Sequence, residues 1–195
     1  MKALPATERG RRTRAAIVGA AAGLMRQHGL AGPSLDDVLA ASGTGKSQFY
    51  HYFDSRRELA EAVLHHQFDR VMETQSALRD PDHADLGAWR DQVVAAHRES
   101  GYGMCPLGVF AGQVDDEPEL GGILAELFGR WEASLADLVA RARAEGRVRA
   151  DAEPEDAGRL LLAALQGGAM LAHVHRRPTA LERSLDTAIA ALIPR

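Results

Sequence analysis

The chain holds one cysteine, Cys105, among 195 residues, so no disulfide framework can form within it, and a reducing compartment suits it. Aromatic residues make up 5% of the sequence, and alternating Val/Ile/Thr runs are almost missing, which argues against a sheet-built core. No uninterrupted run of eighteen apolar residues occurs, which argues against a membrane-spanning helix. Met1-Lys2-Ala3-Leu4-Pro5 lacks the apolar centre of a signal peptide. These absences point to a cytoplasmic, all-α protein without a membrane partner.

Charge is distributed unevenly. The net charge is −4, yet residues 1–60 carry nine Lys/Arg against five acids, a net of +4. Residues 61–195 therefore carry −8. A basic head on an acidic body is the pattern expected of a nucleic-acid-binding domain joined to a domain that binds something else.

Helical spacing runs throughout. A first helix is expected over 14–28, with Ile17, Ala20, Ala21, Leu24 and Met25 on one face and Gly29 at its end. Ser34 with Asp37 three residues on forms a capping-box signal, followed by a short helix to Ser42. A third helix is expected over 46–52, with Gly45 or Thr44 as its cap. Asp54-Ser55 opens a fourth, whose stripe is Leu59, Val63, Leu64, Phe68 and Val71, and which breaks at Pro81-Asp82-His83. Further helices are expected over 84–99, 106–114, 118–145, 154–176 and 179–193, about nine in all. The stretch 160–172 is apolar nearly all the way round and the last helix adds Leu181, Leu185, Ile189 and Leu192. Such surface exceeds what one subunit covers and suggests a symmetric four-helix homodimer contact.

Residues 40–47 also satisfy a loose phosphate-loop pattern, Ala40 followed by four residues and Gly45-Lys46-Ser47. A phosphate loop requires a buried strand ending at its first glycine. Here the first position is alanine, and a helical pattern precedes it. A nucleotide-hydrolysing enzyme is therefore disfavoured, and no catalytic constellation or cofactor motif is identifiable from spacing. The histidines His65-His66, His97 and His173/His175 lack the company of a closed metal site. Cys105 has no neighbouring base to activate it and reads as a small buried hydrophobe.

Residues of about 13–64 closely resemble the DNA-binding domain of TetR-family transcriptional repressors. The resemblance rests on Thr13-Arg14-x-x-Ile17, His28-Gly29, Ser34, Ser42-Gly43, Phe49-Tyr50-His51-Tyr52-Phe53 and Ser55-Arg56-x-x-Leu59. Thr44-Gly45 departs from the valine-serine usual at that turn. The family implies a helix-turn-helix domain over 1–54 and a ligand-binding, dimerising domain over 55–195. It implies base reading of a double-stranded operator by Lys46, Ser47 and Gln48. Phosphate contacts would come from Ser34, Tyr50, His51, Tyr52 and Arg56. Arg9, Arg11, Arg12 and Arg14 are expected to form a flexible arm.

Gly101 to Gly108 and Leu165-Gln166-Gly167 are similar to the LmrA/YxaF-type branch, some of whose members respond to flavonoids or other aromatic drugs. On that basis a small-molecule inducer is expected, with Trp89, Val93, His97, Met104, Phe110, Phe128, Trp131, Gln166, Met170 and His173 as pocket candidates.

Overall fold

The computed structural model describes residues 2, 5–79 and 85–194, and the expected break at 81–83 lies outside them. The described residues form eight α-helices and two 3-10 stretches: α1 Glu8–His28, α2 Leu35–Ser42, α3 Lys46–Tyr52, α4 Arg56–Glu73, α5 Leu86–Glu99, α6 Pro118–Ala144, α7 Pro154–His175 and α8 Thr179–Ala190. The 3-10 stretches are Ser76–Leu78 and Gly108–Gln113. The fold is all-α.

The chain divides into two compact units. The first runs to Asp69 and takes in Val109–Ala125; the second comprises Arg70–Gly108 and the residues from Glu126 onward. This division by packing differs from a simple cut at 54/55.

In the first unit, α1 begins six residues earlier than its apolar pattern indicates, because Thr7 caps it: Thr7 Oγ1 accepts the Gly10 N–H at 3.1 Å. The arginine-rich segment is therefore helix rather than a flexible arm. Arg12 pairs with Glu8 at 3.3 Å and Arg11 donates to the Ala6 carbonyl at 2.7 Å. The buried face of α1 is Ile17, Val18, Ala21, Ala22 and Met25, with Ala20 and Leu24 at its half-buried margin. Against it pack Val38, Leu39, Phe49 and Phe53, all nearly or fully buried.

Gln113 holds the turn after α1. Its Oε1 accepts the Leu30 N–H at 2.8 Å, while its Nε2 donates to the Val109 carbonyl at 2.8 Å. Arg56 from α4 donates to the Leu30 carbonyl at 3.1 Å, so both polar groups of that peptide position are satisfied. In place of the α-helix expected over 106–114 there is only the 3-10 stretch Gly108–Gln113; Gly108 and Gly112 weaken helical propagation there.

In the second unit, α4 has ended at Glu73, short of the expected break, and Gln75 turns inward. Its side chain is 3% exposed, and Oε1 accepts both indole N–H groups, Trp89 at 2.7 Å and Trp131 at 3.2 Å. α7 packs closely at two glycines. A Cβ at Gly158 would lie 2.9 Å from α6 backbone, and one at Gly168 would lie 2.9 Å from the Leu181 Cα of α8. Leu161, Leu162, Leu165, Ala169 and Ala172 complete the buried face, whereas Leu160, Met170, Leu171 and Val174 are exposed. The helix is thus buried on one side only. By length and composition α7 is apolar enough to cross a membrane, a feature that counting uninterrupted apolar runs misses. Its close glycine contacts with α6 and α8 are those of a helix packed by one face within its unit.

Candidate nucleic-acid interface

The candidate surface is built by two short helices and the turn between them. α2 starts at a reciprocal capping box: Ser34 Oγ accepts the Asp37 N–H at 3.1 Å, and Asp37 Oδ2 accepts the Ser34 N–H at 2.8 Å. The Ser34 hydroxyl also donates to Asp37 Oδ2 at 2.7 Å, and this bond first, with that from the Ser34 N–H second, holds the Asp37 carboxyl below its ordinary pKa. Gly43 ends α2 in the left-handed region, φ +65°, where its N–H and that of Thr44 return to the last carbonyls. Ser42 Oγ and Thr44 Oγ1 are 2.7 Å apart and tie the turn across its base. Gly45 then caps α3, its N–H donating to Gln48 Oε1 at 3.2 Å. The Thr44-Gly45 departure leaves the turn intact.

α3 is oriented by its inner face. Phe49 and Phe53 are buried, with ring centroids 5.5 Å apart, and the Arg14 guanidinium sits 5.1 Å from the Phe53 ring centroid. Burying those two rings turns Lys46, Ser47, Gln48, Tyr50 and His51 outward, with Tyr52 half-buried. Tyr50 is 54% exposed, a large share for a ring of its size. Ser34 and Arg56 are also exposed. Every expected DNA-contacting residue therefore lies at the surface of one unit.

Three neighbours escape a reading of the sequence. Asp36 pairs with Lys46 at 3.2 Å, although both are exposed. Lys2 donates through Nζ to the Tyr50 carbonyl at 2.8 Å and pairs with Asp54 at 2.7 Å. Glu58, nearly buried, takes N–H bonds from Lys2 and, at 2.7 Å, from Asp54. Burial pushes its carboxyl up, but the Asp54 and Lys2 bonds outweigh that and leave it below its usual range. Glu58, Asp54 and the Tyr50 carbonyl together hold Lys2 at the end of α3. Their signal in the sequence is no more than a lysine and a glutamate fifty-six positions apart.

The expected effector residues divide between the units. Phe110 is buried and belongs to the first. In the second, Trp89, Val93 and Trp131 are core, with both indoles satisfied by Gln75; Phe128 is half-buried and stacks on Trp131 at 6.2 Å. Met104 and Met170 are exposed. Gln166 Nε2 approaches Cys105 Sγ at 3.5 Å, and His173 Nδ1 lies 3.0 Å from the Tyr102 carbonyl, which requires the proton on that nitrogen. Seven residues apart on α7, Gln166 and His173 thus fasten the 101–108 loop at two points. Burial pushes the Cys105 thiol pKa up, against a reactive thiolate. His97 Nδ1 meets the Val93 carbonyl at 3.1 Å, and its buried Nε2 has no hydrogen-bond partner among the described residues. Burial lowers the His97 pKa, so the neutral ring presents Nε2 as a bare acceptor. A shallow depression of about 430 Å³, lined by Arg149, Asp151, Ala190, Ala191 and Ile193, contains none of the expected pocket residues.

A capped helix, a left-handed glycine turn and a short helix with an outward polar-aromatic face define a helix-turn-helix protein. Comparison with known proteins agrees. Residues 17–63 match "Bacterial regulatory proteins, tetR family", and residues 83–188 match "Tetracyclin repressor-like, C-terminal domain". An uncharacterised helix-turn-helix regulator of Mycobacterium tuberculosis is 30% identical over 193 residues, spanning 91% of this chain and 94% of the relative. The repressor LfrR of Mycolicibacterium smegmatis is 28% identical over 169 residues, spanning 84% and 82%. A TetR regulator from Chloroflexus aurantiacus has a TM-score of 0.77 at 25% identity, covering 94% of this chain and 96% of that one. The chain belongs to the TetR family of DNA-binding transcriptional regulators and is not an enzyme.

Proposed function

We propose that the chain is a cytoplasmic, homodimeric repressor that holds a pseudo-palindromic operator until a small molecule releases it. The carrying observation is the outer face of α3, where Lys46, Ser47 and Gln48 stand exposed over buried Phe49 and Phe53. In this reading residues 1–54 bind DNA, and residues 55–195 dimerise and bind the ligand. Lys46, Ser47 and Gln48 meet base edges; Ser34, Tyr50, His51, Tyr52 and Arg56 meet phosphates. Two relatives that carry the word repressor in their names, LfrR and DhaR, support the sign of regulation. The exposed apolar stripe on α7 supports the dimer.

The ligand reading stays with a small, mostly apolar or aromatic molecule. His97 adds a chemical requirement, since a bare buried acceptor favours a ligand carrying an O–H or N–H donor. Gln166 and His173 support a role for the 101–108 loop in responding to it. Such a ligand acts by preferring the conformation whose two reading heads no longer fit adjacent major grooves.

The operator is found by selecting bound sequences from random duplex DNA. Binding to the selected site is then measured against salt for the parent and for Lys46→Ala/Gln48→Ala/Tyr50→Ala. The triple variant is expected to lose specific binding, and log affinity of the parent to fall with log salt at about −0.9 per phosphate neutralised. Full affinity in the triple variant refutes the assignment of α3.

A further inference from the structure

The two helices of the candidate surface end differently. α2 closes on Gly43 in the left-handed region, which returns its own N–H and that of Thr44 to the last carbonyls. α3 closes on Phe53 in extended backbone, φ −136° and ψ 131°, so its last turn gains no left-handed cap. Phe53 still donates to the Phe49 carbonyl at 2.9 Å. The next donor in helical register is the Asp54 N–H, four residues after Tyr50, but it turns to Glu58 Oε2 at 2.7 Å. The Tyr50 carbonyl thereby loses the partner that a continued helix would give it.

Lys2 takes that partner's place. Its ammonium donates to the Tyr50 carbonyl at 2.8 Å and pairs with Asp54 at 2.7 Å, while its backbone N–H goes to Glu58 Oε1. Glu58 thus draws the Asp54 N–H away from α3 with one oxygen and holds the replacement donor with the other. A cation at a helix C-terminus also faces the negative end of the helix dipole. The pair with Asp54 is mostly solvent-exposed on the acid's side, so it orients the lysine and adds little stability. Support at this end matters, because Phe49, Tyr50, His51 and Tyr52 are weak helix formers and a helix of seven residues is marginal by itself.

We infer that Lys2 is a positioning residue for DNA reading: a C-terminal cap, supplied from 48 positions away, that keeps the last turn of α3 formed before DNA arrives. This rests on the reading of α3 given above and adds a residue outside α2 and α3. Without the cap the last turn frays, and Tyr50 and His51 spend part of their time off the helix. Apparent affinity then falls with the fraction of heads that are competent.

Amide hydrogen exchange of the free, full-length chain reads the cap without DNA, and titration of the selected operator reads its consequence. Lys2→Met keeps the apolar stem and removes the donor. It is expected to speed exchange of the Tyr52 and Phe53 amides about fivefold, the equivalent of one ordinary hydrogen bond. Operator binding should weaken by about three- to fivefold, with the α1 amides from Ile17 to Met25 and the urea midpoint unchanged. Lys2→Arg, whose guanidinium also donates to a carbonyl and pairs with a carboxylate, should restore both. Weaker operator binding with unchanged exchange would make Lys2 a DNA contact and overturn the cap. Faster exchange with unchanged operator binding would overturn its link to reading. Lys2→Arg behaving as Lys2→Met does would overturn the donor's role. Full operator affinity in the Lys46→Ala/Gln48→Ala/Tyr50→Ala variant refutes the reading of α3 itself, and this inference with it, whatever the exchange shows.

Discussion

Replacing Gln75 by leucine should remove a disproportionate share of the stability of the second unit. Gln75 is 3% exposed, and its single carboxamide oxygen serves two indole N–H groups, at 2.7 and 3.2 Å, whose rings are fully or almost fully buried. Leucine is close in volume, so no large cavity opens, and the penalty isolates the two orphaned donors. Each buried unsatisfied donor costs about 1–3 kcal/mol. Relief from burying the glutamine amide itself offsets part of this, leaving roughly 2–4 kcal/mol. For a chain of this size each kcal/mol lowers Tm by about 2–4 °C, so a fall of roughly 5–15 °C is expected. Urea unfolding followed by tryptophan fluorescence measures the loss directly. Trp131→Phe should cost less in the Gln75→Leu background than in the parent, because it then removes a donor that already lacks its acceptor. A Gln75→Leu protein within about 0.5 kcal/mol of the parent, with no coupling to Trp131, would refute the keystone role.

Other expectations concern the reading head and the buried histidine. Asp36→Asn removes the exposed carboxylate that competes with DNA for Lys46. A pair of this kind is worth about 0.2–1 kcal/mol, so operator affinity should rise up to about fivefold at low salt and the gain should shrink at high salt. A gain independent of salt contradicts the mechanism. Gly43→Ala should cost about 1–2 kcal/mol in urea unfolding through its left-handed φ alone, since open space surrounds the position. A neutral effect would mean the turn relaxes. The folded pKa of His97 lies below its ordinary value of 6.5 because of burial, so the unfolded chain takes up the proton first. Stability from this group is complete well above pH 6.5 and is lost as pH falls below it, and His97→Gln should flatten that decline in a pH series of urea midpoints.

Where local chemistry decides the structure, the sequence can be read closely. The Ser34/Asp37 box, Gly43 and the Phe49/Phe53 pair act within a few residues of one another, so α2 and α3 fall where their patterns place them. The stripe of α4 is equally plain, because apolar periodicity records which face is buried. The arginine segment misleads because its charge draws attention away from Thr7, a readable N-cap for a helix starting at Glu8. Gln75 and Gln113 are illegible for a different reason. Neither belongs to an apolar stripe or a capping pattern, and their roles depend on partners 14, 56 and 83 positions away. The same holds for Met170, whose apolar side chain fits a cavity wall or an outer face equally well until exposure is known.

The hold of Gln113 on Leu30 bears on how such regulators can be recombined. A reading head cut from the gene at residue 54 would carry Leu30 without the residue that accepts its N–H, and would lack the whole 109–125 segment that packs within its unit. A chimera made by splicing this head onto a foreign effector half would inherit that vacancy unless the recipient supplied an equivalent glutamine. The transferable cassette is therefore discontinuous in sequence, and a graft that includes residues 109–125 should preserve operator recognition better than one that ends at α3.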